Sequence, residues 1–136
     1  MNLAFIIIDD SELDCFVAKK IIEQYSKSTK VTAYLDASIA LRKIRENANL
    51  YPDETTIILL DFRLPVMNGF EFMDEFEKLP YSIQNKYIIY GLSSTVNRND
   101  ISRMCNFKNV IKVLGKPLTI LNFSHLISEV QSMELG

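Results

Sequence analysis

Four polar sets in this chain have the residue types that handle a charged group: Asp9-Asp10, Asp61, Ser93-Ser94-Thr95 and Gly115-Lys116-Pro117. Each set directly follows a short apolar run. In an open parallel sheet, ligands bind outside the carboxyl ends of the strands, so all four sets are expected on one edge. Three carboxylates gathered there repel one another and require neutralisation. Their donors are all oxygen, which suits a hard cation such as Mg2+, an ion that takes one or two carboxylates and keeps waters for a phosphate. Zinc is disfavoured: the single histidine, His125, falls in the last helical segment, and neither Cys15 nor Cys105 is expected on this edge. No Ser/His/Asp or Cys/His catalytic set can be assembled. No Gly-rich loop follows the first apolar run, which argues against a nucleotide-binding domain.

Taken singly, each set has a plainer explanation. Asp9-Asp10 can be a turn and a helix cap, Asp61 a turn residue, Ser93-Ser94 a cap, and Lys116 a solvated loop lysine. Asp36, after the second run, is adequately explained as a cap. The collection of four sets on one edge is what single-residue explanations do not cover.

The elements that must position them are legible as five apolar runs, Leu3–Ile8, Val31–Leu35, Ile57–Leu60, Tyr87–Leu92 and Val110–Leu114. Continuous rather than alternating runs predict strands buried on both faces. Between and after them lie helical periods. Ser11–Ser26 places Leu13, Val17 and Ile21 on one stripe with Cys15, Ala18, Ile22 and Tyr25 beside it, and Ser11 with Asp14 resembles a helix start. Asp36–Asn47 repeats Ile39, Leu41 and Ile44. Gly69–Leu79 repeats Phe72, Phe76 and Leu79 and stops at Pro80. Asn97–Phe107 and Leu118–Met133 complete the set, the last with Pro117 just before it. Five strand–helix repeats predict an α/β fold with a parallel sheet and helices on both faces.

Composition bounds the function. The chain has 136 residues, 48% hydrophobic and 24% charged, with a net charge of −2. That length predicts one domain, 1–136, with no linker or repeat. The near-neutral balance gives no drive for general nucleic-acid binding. The longest apolar run is too short to span a membrane, and no basic segment precedes it as in a signal peptide. Two cysteines far apart in sequence do not suggest a disulfide framework. A cytoplasmic location is expected.

The stretch Asp61-Phe62-Arg63-Leu64-Pro65-Val66-Met67-Asn68-Gly69 resembles the receiver domain of two-component response regulators. The family pattern there is Asp, two variable positions, Leu or Met, Pro, one variable position, Met, Asp or Asn, Gly; every fixed position is met. Asp9-Asp10, Leu92-Ser93-Ser94 and Lys116-Pro117 agree in order and spacing, over roughly residues 3–133. The resemblance implies a doubly wound, flavodoxin-like sheet of order 2-1-3-4-5. It implies Asp61 as phosphoacceptor, with Ser93 and Lys116 contacting phosphoryl oxygens. Mg2+ would be held by Asp9, Asp10, Asp61 and the backbone carbonyl of Arg63. It also implies a cis Lys116–Pro117 bond and side chains at Arg63 and Thr95 that modulate access of water. The implied partners are a sensor histidine kinase or histidine phosphotransfer protein and an unknown downstream protein. Direct DNA binding is not expected, and a monomer or weak dimer is.

The chain departs from the family at two positions. Val113 stands where many members carry Tyr or Phe, so an aromatic rotamer switch is not expected. Gly91 interrupts the fourth strand, either as a bulge or as a close approach. The leading expectation is a stand-alone receiver that accepts phosphate and signals through protein contacts or a phosphorelay. The alternatives are a phosphorylation-independent receiver-like interaction module and an aspartate-nucleophile phosphatase. The phosphatase class is disfavoured because its Asp-x-Asp set would follow the first strand.

Overall fold

The computed structural model describes residues 2–27, 29–47, 54–94 and 97–135. In chain order the elements are β1 (Asn2–Ile8), α1 (Glu12–Tyr25), β2 (Lys30–Tyr34), α2 (Ala37–Glu46), β3 (Glu54–Asp61), α3 (Gly69–Phe76), α4 (Tyr81–Gln84), β4 (Tyr87–Ser93), α5 (Arg98–Cys105), β5 (Val110–Gly115) and α6 (Ile120–Leu135). All strand pairs are parallel, in the order β2-β1-β3-β4-β5. This is the doubly wound arrangement expected from the sequence.

Side chains alternate across each strand, and helices cover both faces, which is why the runs read as continuously apolar. Phe5, Ile7, Ile57, Leu59, Tyr90 and Leu92 pack on one face against Cys15, Ala18 and Ile22 of α1 and Phe123, Leu126, Ile127 and Val130 of α6. Ile8, Ile58, Leu60 and Ile89 pack on the other against α2, α3 and Met104 of α5. Each such fully buried aliphatic or aromatic side chain contributes about 1.5–3 kcal/mol. Tyr90 reaches out of its core to donate a 2.8 Å hydrogen bond to Glu129.

Several helix details differ from the sequence expectation. In α1 the buried stripe is Cys15, Ala18 and Ile22, while Leu13 is exposed. Val17 and Ile21 of the expected stripe are half-buried, Ile21 against the core, so the inward face is centred on Ala18 and Ile22 and only Leu13 falls outside it. Ile39 of α2 is likewise exposed, and Ala37, Ala40, Leu41 and Ile44 face the core. The helix expected over 69–79 stops at Phe76, and a further helical turn, α4, begins after Pro80. Leu79 is buried from the connecting turn, so its apolarity marks core contact rather than helix. The last helix starts at Ile120, where the Thr119 hydroxyl accepts the Asn122 N–H at 3.0 Å.

Gly91 is a close approach. A Cβ there would lie 2.7 Å from Phe62 Cε1 and 3.2 Å from Val113 Cγ2. The register shift between β4 and β5 falls nearby, at Ile89/Tyr90.

Candidate functional site

Sheet register brings the polar residues to one level. Ile8 pairs with Leu60, Asp61 with Leu92, and Ser93 with Gly115. The next residues along β1 and β5 are Asp9 and Lys116. Asp9, Asp61 and Ser93 are buried, whereas Asp10 is exposed. The Lys116 backbone N–H donates to the Ser93 carbonyl at 2.9 Å, tying the two loops together. The Lys116–Pro117 bond is cis, as expected.

Asp61 Oδ1 accepts the Arg63 N–H at 3.2 Å, and Oδ2 accepts Lys116 Nζ at 3.2 Å. Burial raises the Asp61 pKa above the ordinary carboxylate value. The Arg63 N–H opposes that rise, Asp9 adds to it, and Lys116 opposes it. Lys116 Nζ also lies 2.9 Å from Asp9 Oδ2 and 2.9 Å from Asp14 Oδ2. Burial alone would lower the lysine pKa; the carboxylates of Asp9, Asp14 and Asp61 outweigh it and hold the group firmly protonated.

One oxygen each from Asp9, Asp10 and Asp61 lie within 4.8 Å of one another. Asp9 Oδ2 is buried with no hydrogen-bond partner other than the shared Lys116 ammonium 2.9 Å away. One ammonium shared among three carboxylates leaves buried negative charge under-compensated, and a hard cation between Asp9, Asp10 and Asp61 would offset it. The donor set therefore fits Mg2+. The cluster opens onto a groove of about 590 Å³ lined by Asp10, Arg63, Pro65, Asn68, Asp100 and Arg103 among others.

Two residues differ from the sequence expectation. Cys15 lies at this edge after all, its Sγ donating to the Asp9 carbonyl at 3.3 Å. Burial pushes its thiol up to about 11, with Asp9 next in effect, so it stays protonated and is no metal ligand. Asp14 is expected only at a helix start, yet its carboxylate reaches Lys116. Its position three residues after Ser11 is that of a cap partner, so the local sequence carries no signal for the contact with Lys116. His125 and Cys105 are exposed and far from this chemistry in role, and both cysteines are free. Asp36 is a cap, as expected, accepting from the Ser38 N–H at 2.8 Å. Thr95 lies outside the described residues.

The family model described as the response regulator receiver domain matches residues 5–128. A response regulator receiver protein from Dyadobacter fermentans is 30% identical with a TM-score of 0.79, over 93% of this chain and 96% of that one. A two-component response regulator from Cytophaga hutchinsonii is 25% identical with a TM-score of 0.84, over 96% of this chain and 97% of that one. The CheX–CheY–BeF3–Mg2+ complex from Borrelia burgdorferi shares the fold at 20% identity and a TM-score of 0.69, over 94% of this chain and 88% of that one. No curated protein matches.

Proposed function

Because this chain belongs to the response regulator receiver domain family, we propose that residues 1–136 form a single receiver that takes a phosphoryl group onto Asp61. The observation that carries this reading is the buried Asp61 carboxylate held between Lys116, at 3.2 Å, and the acidic cluster of Asp9 and Asp10. In the proposed reaction an Asp61 oxygen attacks phosphorus of a phosphohistidine, so that the O–P bond forms as the N–P bond breaks. Asp9, Asp10, Asp61 and the Arg63 carbonyl would hold Mg2+, which when bound offsets charge on the phosphoryl oxygens. Lys116 pairs with one of those oxygens and the Ser93 hydroxyl donates to another. The protein's part is positioning and electrostatics rather than turnover of an external substrate.

The donor would be a sensor histidine kinase or a histidine phosphotransfer protein, in the cytoplasm, with the receiver a monomer or weak dimer. The output would be protein contact or onward phosphotransfer rather than direct DNA binding. α5, β5 and α6 form the proposed partner face, because Ser93 leads toward α5 and Lys116 lies between β5 and α6. Val113 packs beside Gly91 and against the α5 side of the sheet. Its β-branched side chain has restricted χ1 freedom. The signal would therefore travel as backbone displacement of the segment after Ser93 and of α5. Backbone amide NMR with and without beryllofluoride should show large shifts at 97–104 that Val113→Ala leaves in place. Shifts lost in that variant would overturn this route.

The reaction is tested by incubation with a small acyl phosphate and Mg2+ followed by intact mass measurement. Wild type should gain about 80 Da, one phosphoryl group, and Asp61→Asn should gain none. No adduct and no phosphate release from wild type would favour the phosphorylation-independent interaction module. Phosphate retained on Asp61→Asn would displace Asp61 as the acceptor.

A further inference from the structure

Lys116 has more carboxylate partners than a phosphoacceptor site needs. Its Nζ is 2.9 Å from Asp9 Oδ2, 2.9 Å from Asp14 Oδ2 and 3.2 Å from Asp61 Oδ2. The acceptor is the most distant of the three. Asp9 belongs to the acidic cluster, but Asp14 does not, and its contact with Lys116 comes from the way α1 begins. In a complete capping box, the side chain three residues after the N-cap reaches back to the N-cap backbone N–H. At α1 that N–H, of Ser11, is already taken by Asp9 Oδ1 at 2.9 Å. The Ser11 hydroxyl still accepts the Asp14 N–H at 3.2 Å, which fixes the Asp14 backbone. Its carboxylate, released from the cap, turns to the lysine. A merely dipole-complementing acid in this turn is already supplied by Glu12, which is exposed.

We infer that Asp14 is a positioning residue that restrains the Lys116 ammonium toward α1 and competes with a phosphoryl group on Asp61 for it, an inference that rests on the phosphoacceptor role of Asp61. The ammonium carries three donors. To serve a phosphoryl oxygen it must move away from the α1 carboxylates or share its donors with them. Asp14 thus sets how readily the lysine is delivered: its charge favours the lysine's unphosphorylated pose and weakens the phosphorylated one. The pair is partly solvated, so the restraint is modest; exposed or half-exposed ion pairs couple by about 0.2–1 kcal/mol, up to about a fivefold change in an equilibrium.

The test uses the full chain and beryllofluoride as the phosphoryl mimic, at saturating Mg2+. Asp14→Asn should bind it about two- to fivefold more tightly than wild type. Loss of a negative charge could act through the general field rather than through the lysine, so the comparison is repeated in Lys116→Met, where the gain from Asp14→Asn should vanish. In metal-free protein, Asp14→Asn should shift the Lys116 13Cε resonance while the α1 backbone amides stay in place; this holds even if Lys116→Met binds the mimic too weakly to measure. Unchanged affinity in Asp14→Asn, an equal gain in the Lys116→Met background, or an unmoved Lys116 resonance would each overturn the restraint. Failure of wild type itself to bind the mimic would instead bring down the phosphoacceptor reading of Asp61.

Discussion

Two helices begin at the same edge of the sheet, α1 after Asp9-Asp10 and α3 after the loop that leaves Asp61, and their first turns use the same chemistry to different ends. At α3 the capping box is complete: the Glu71 N–H donates to Asn68 Oδ1 at 2.9 Å and the Asn68 N–H to Glu71 Oε1 at 3.0 Å. At α1 only half of it exists, because Asp9 takes the Ser11 N–H and leaves the Asp14 carboxylate to Lys116. The first helical residues differ in kind too. Glu12 is exposed, while Gly69 is buried against the backbone of β3. The start of α3 is built for fixed placement beneath Asp61, and the start of α1 for electrostatic control of the lysine opposite.

The largest break in this contrast should come at the first helical residue. A Cβ on Gly69 would lie 2.6 Å from the Asp61 carbonyl oxygen and 3.1 Å from Phe62 Cα, both backbone atoms. Gly69→Ala should destabilise by about 2–3 kcal/mol, the scale of overpacking. Glu12→Ala should stay within about 0.5 kcal/mol. Urea unfolding of the pair decides it; similar losses would mean that α3 can withdraw from Asp61. The caps come next. Asn68→Ala removes the side-chain oxygen that accepts the Glu71 N–H at 2.9 Å and should cost about 1–2 kcal/mol. Ser11→Ala should cost about 0.5–1 kcal/mol, because the Ser11 hydroxyl accepts the Asp14 N–H over a longer 3.2 Å. A larger loss at Ser11 would show that its hydroxyl supports more than the helix start.

The strands feeding the two helices also differ, and pH exposes it. Burial raises the Asp61 pKa. A carboxyl whose folded pKa is raised favours the native state below its unfolded pKa, and that contribution is lost as pH rises through the folded pKa. At neutral pH the ionised Asp61 is therefore a cost, and Asp61→Asn should melt higher than wild type. The gain should shrink as pH falls through the raised pKa toward the ordinary carboxylate value of 3.8. Lys116 retains Asp9 and Asp14 in the variant. A lower melting temperature at pH 7 would mean that the Lys116–Asp61 contact outweighs burial.

Much of this edge is legible in the amino-acid sequence. The apolar runs of β1, β3, β4 and β5 each ended within one residue of the observed strand, because the residues that follow them, Asp9, Asp61, Ser93 and Lys116, are polar for chemical reasons. The signals that misled were weak ones. The buried stripe of α1 runs through Cys15 and Ala18, whose small side chains carry little hydropathy beside Leu13. Asp14 looked like part of a cap because its spacing from Ser11 is that of a cap; nothing in the local sequence says that Asp9 has taken the donor it would have used. Cys15 reads as remote because a thiol seven positions past the end of a strand has no periodicity that places it beneath Asp9. The bond that frees Asp14 from the cap spans only two residues, Asp9 to Ser11, but its consequence, the contact with Lys116, is tertiary.

The smallest expected effect concerns how the chain enters the two helices. Asp9 reaches α1 across Asp10 and Ser11 with no left-handed residue. The path from Asp61 to α3 includes Val66 at φ 67, the one non-glycine residue with positive φ among those described. The Met67 N–H donates to the Pro65 carbonyl at 2.7 Å around it, which makes a γ-turn of the strained hand. A β-branched residue pays most for this region, on the order of 1–2 kcal/mol, because its Cβ crowds the following carbonyl. Val66 has nothing to set against that cost, since its side chain is 89% exposed. Asn visits the left-handed region more readily and is of similar size, so Val66→Asn should stabilise by about 0.5–1 kcal/mol. The same substitution should leave beryllofluoride affinity unchanged if the strain is confined to the loop. If Val66→Asn instead stabilises the fold and weakens the mimic, the strained turn is holding the Arg63 carbonyl toward the acidic cluster, and the entry to α3 is tuned for ligand binding as the entry to α1 is.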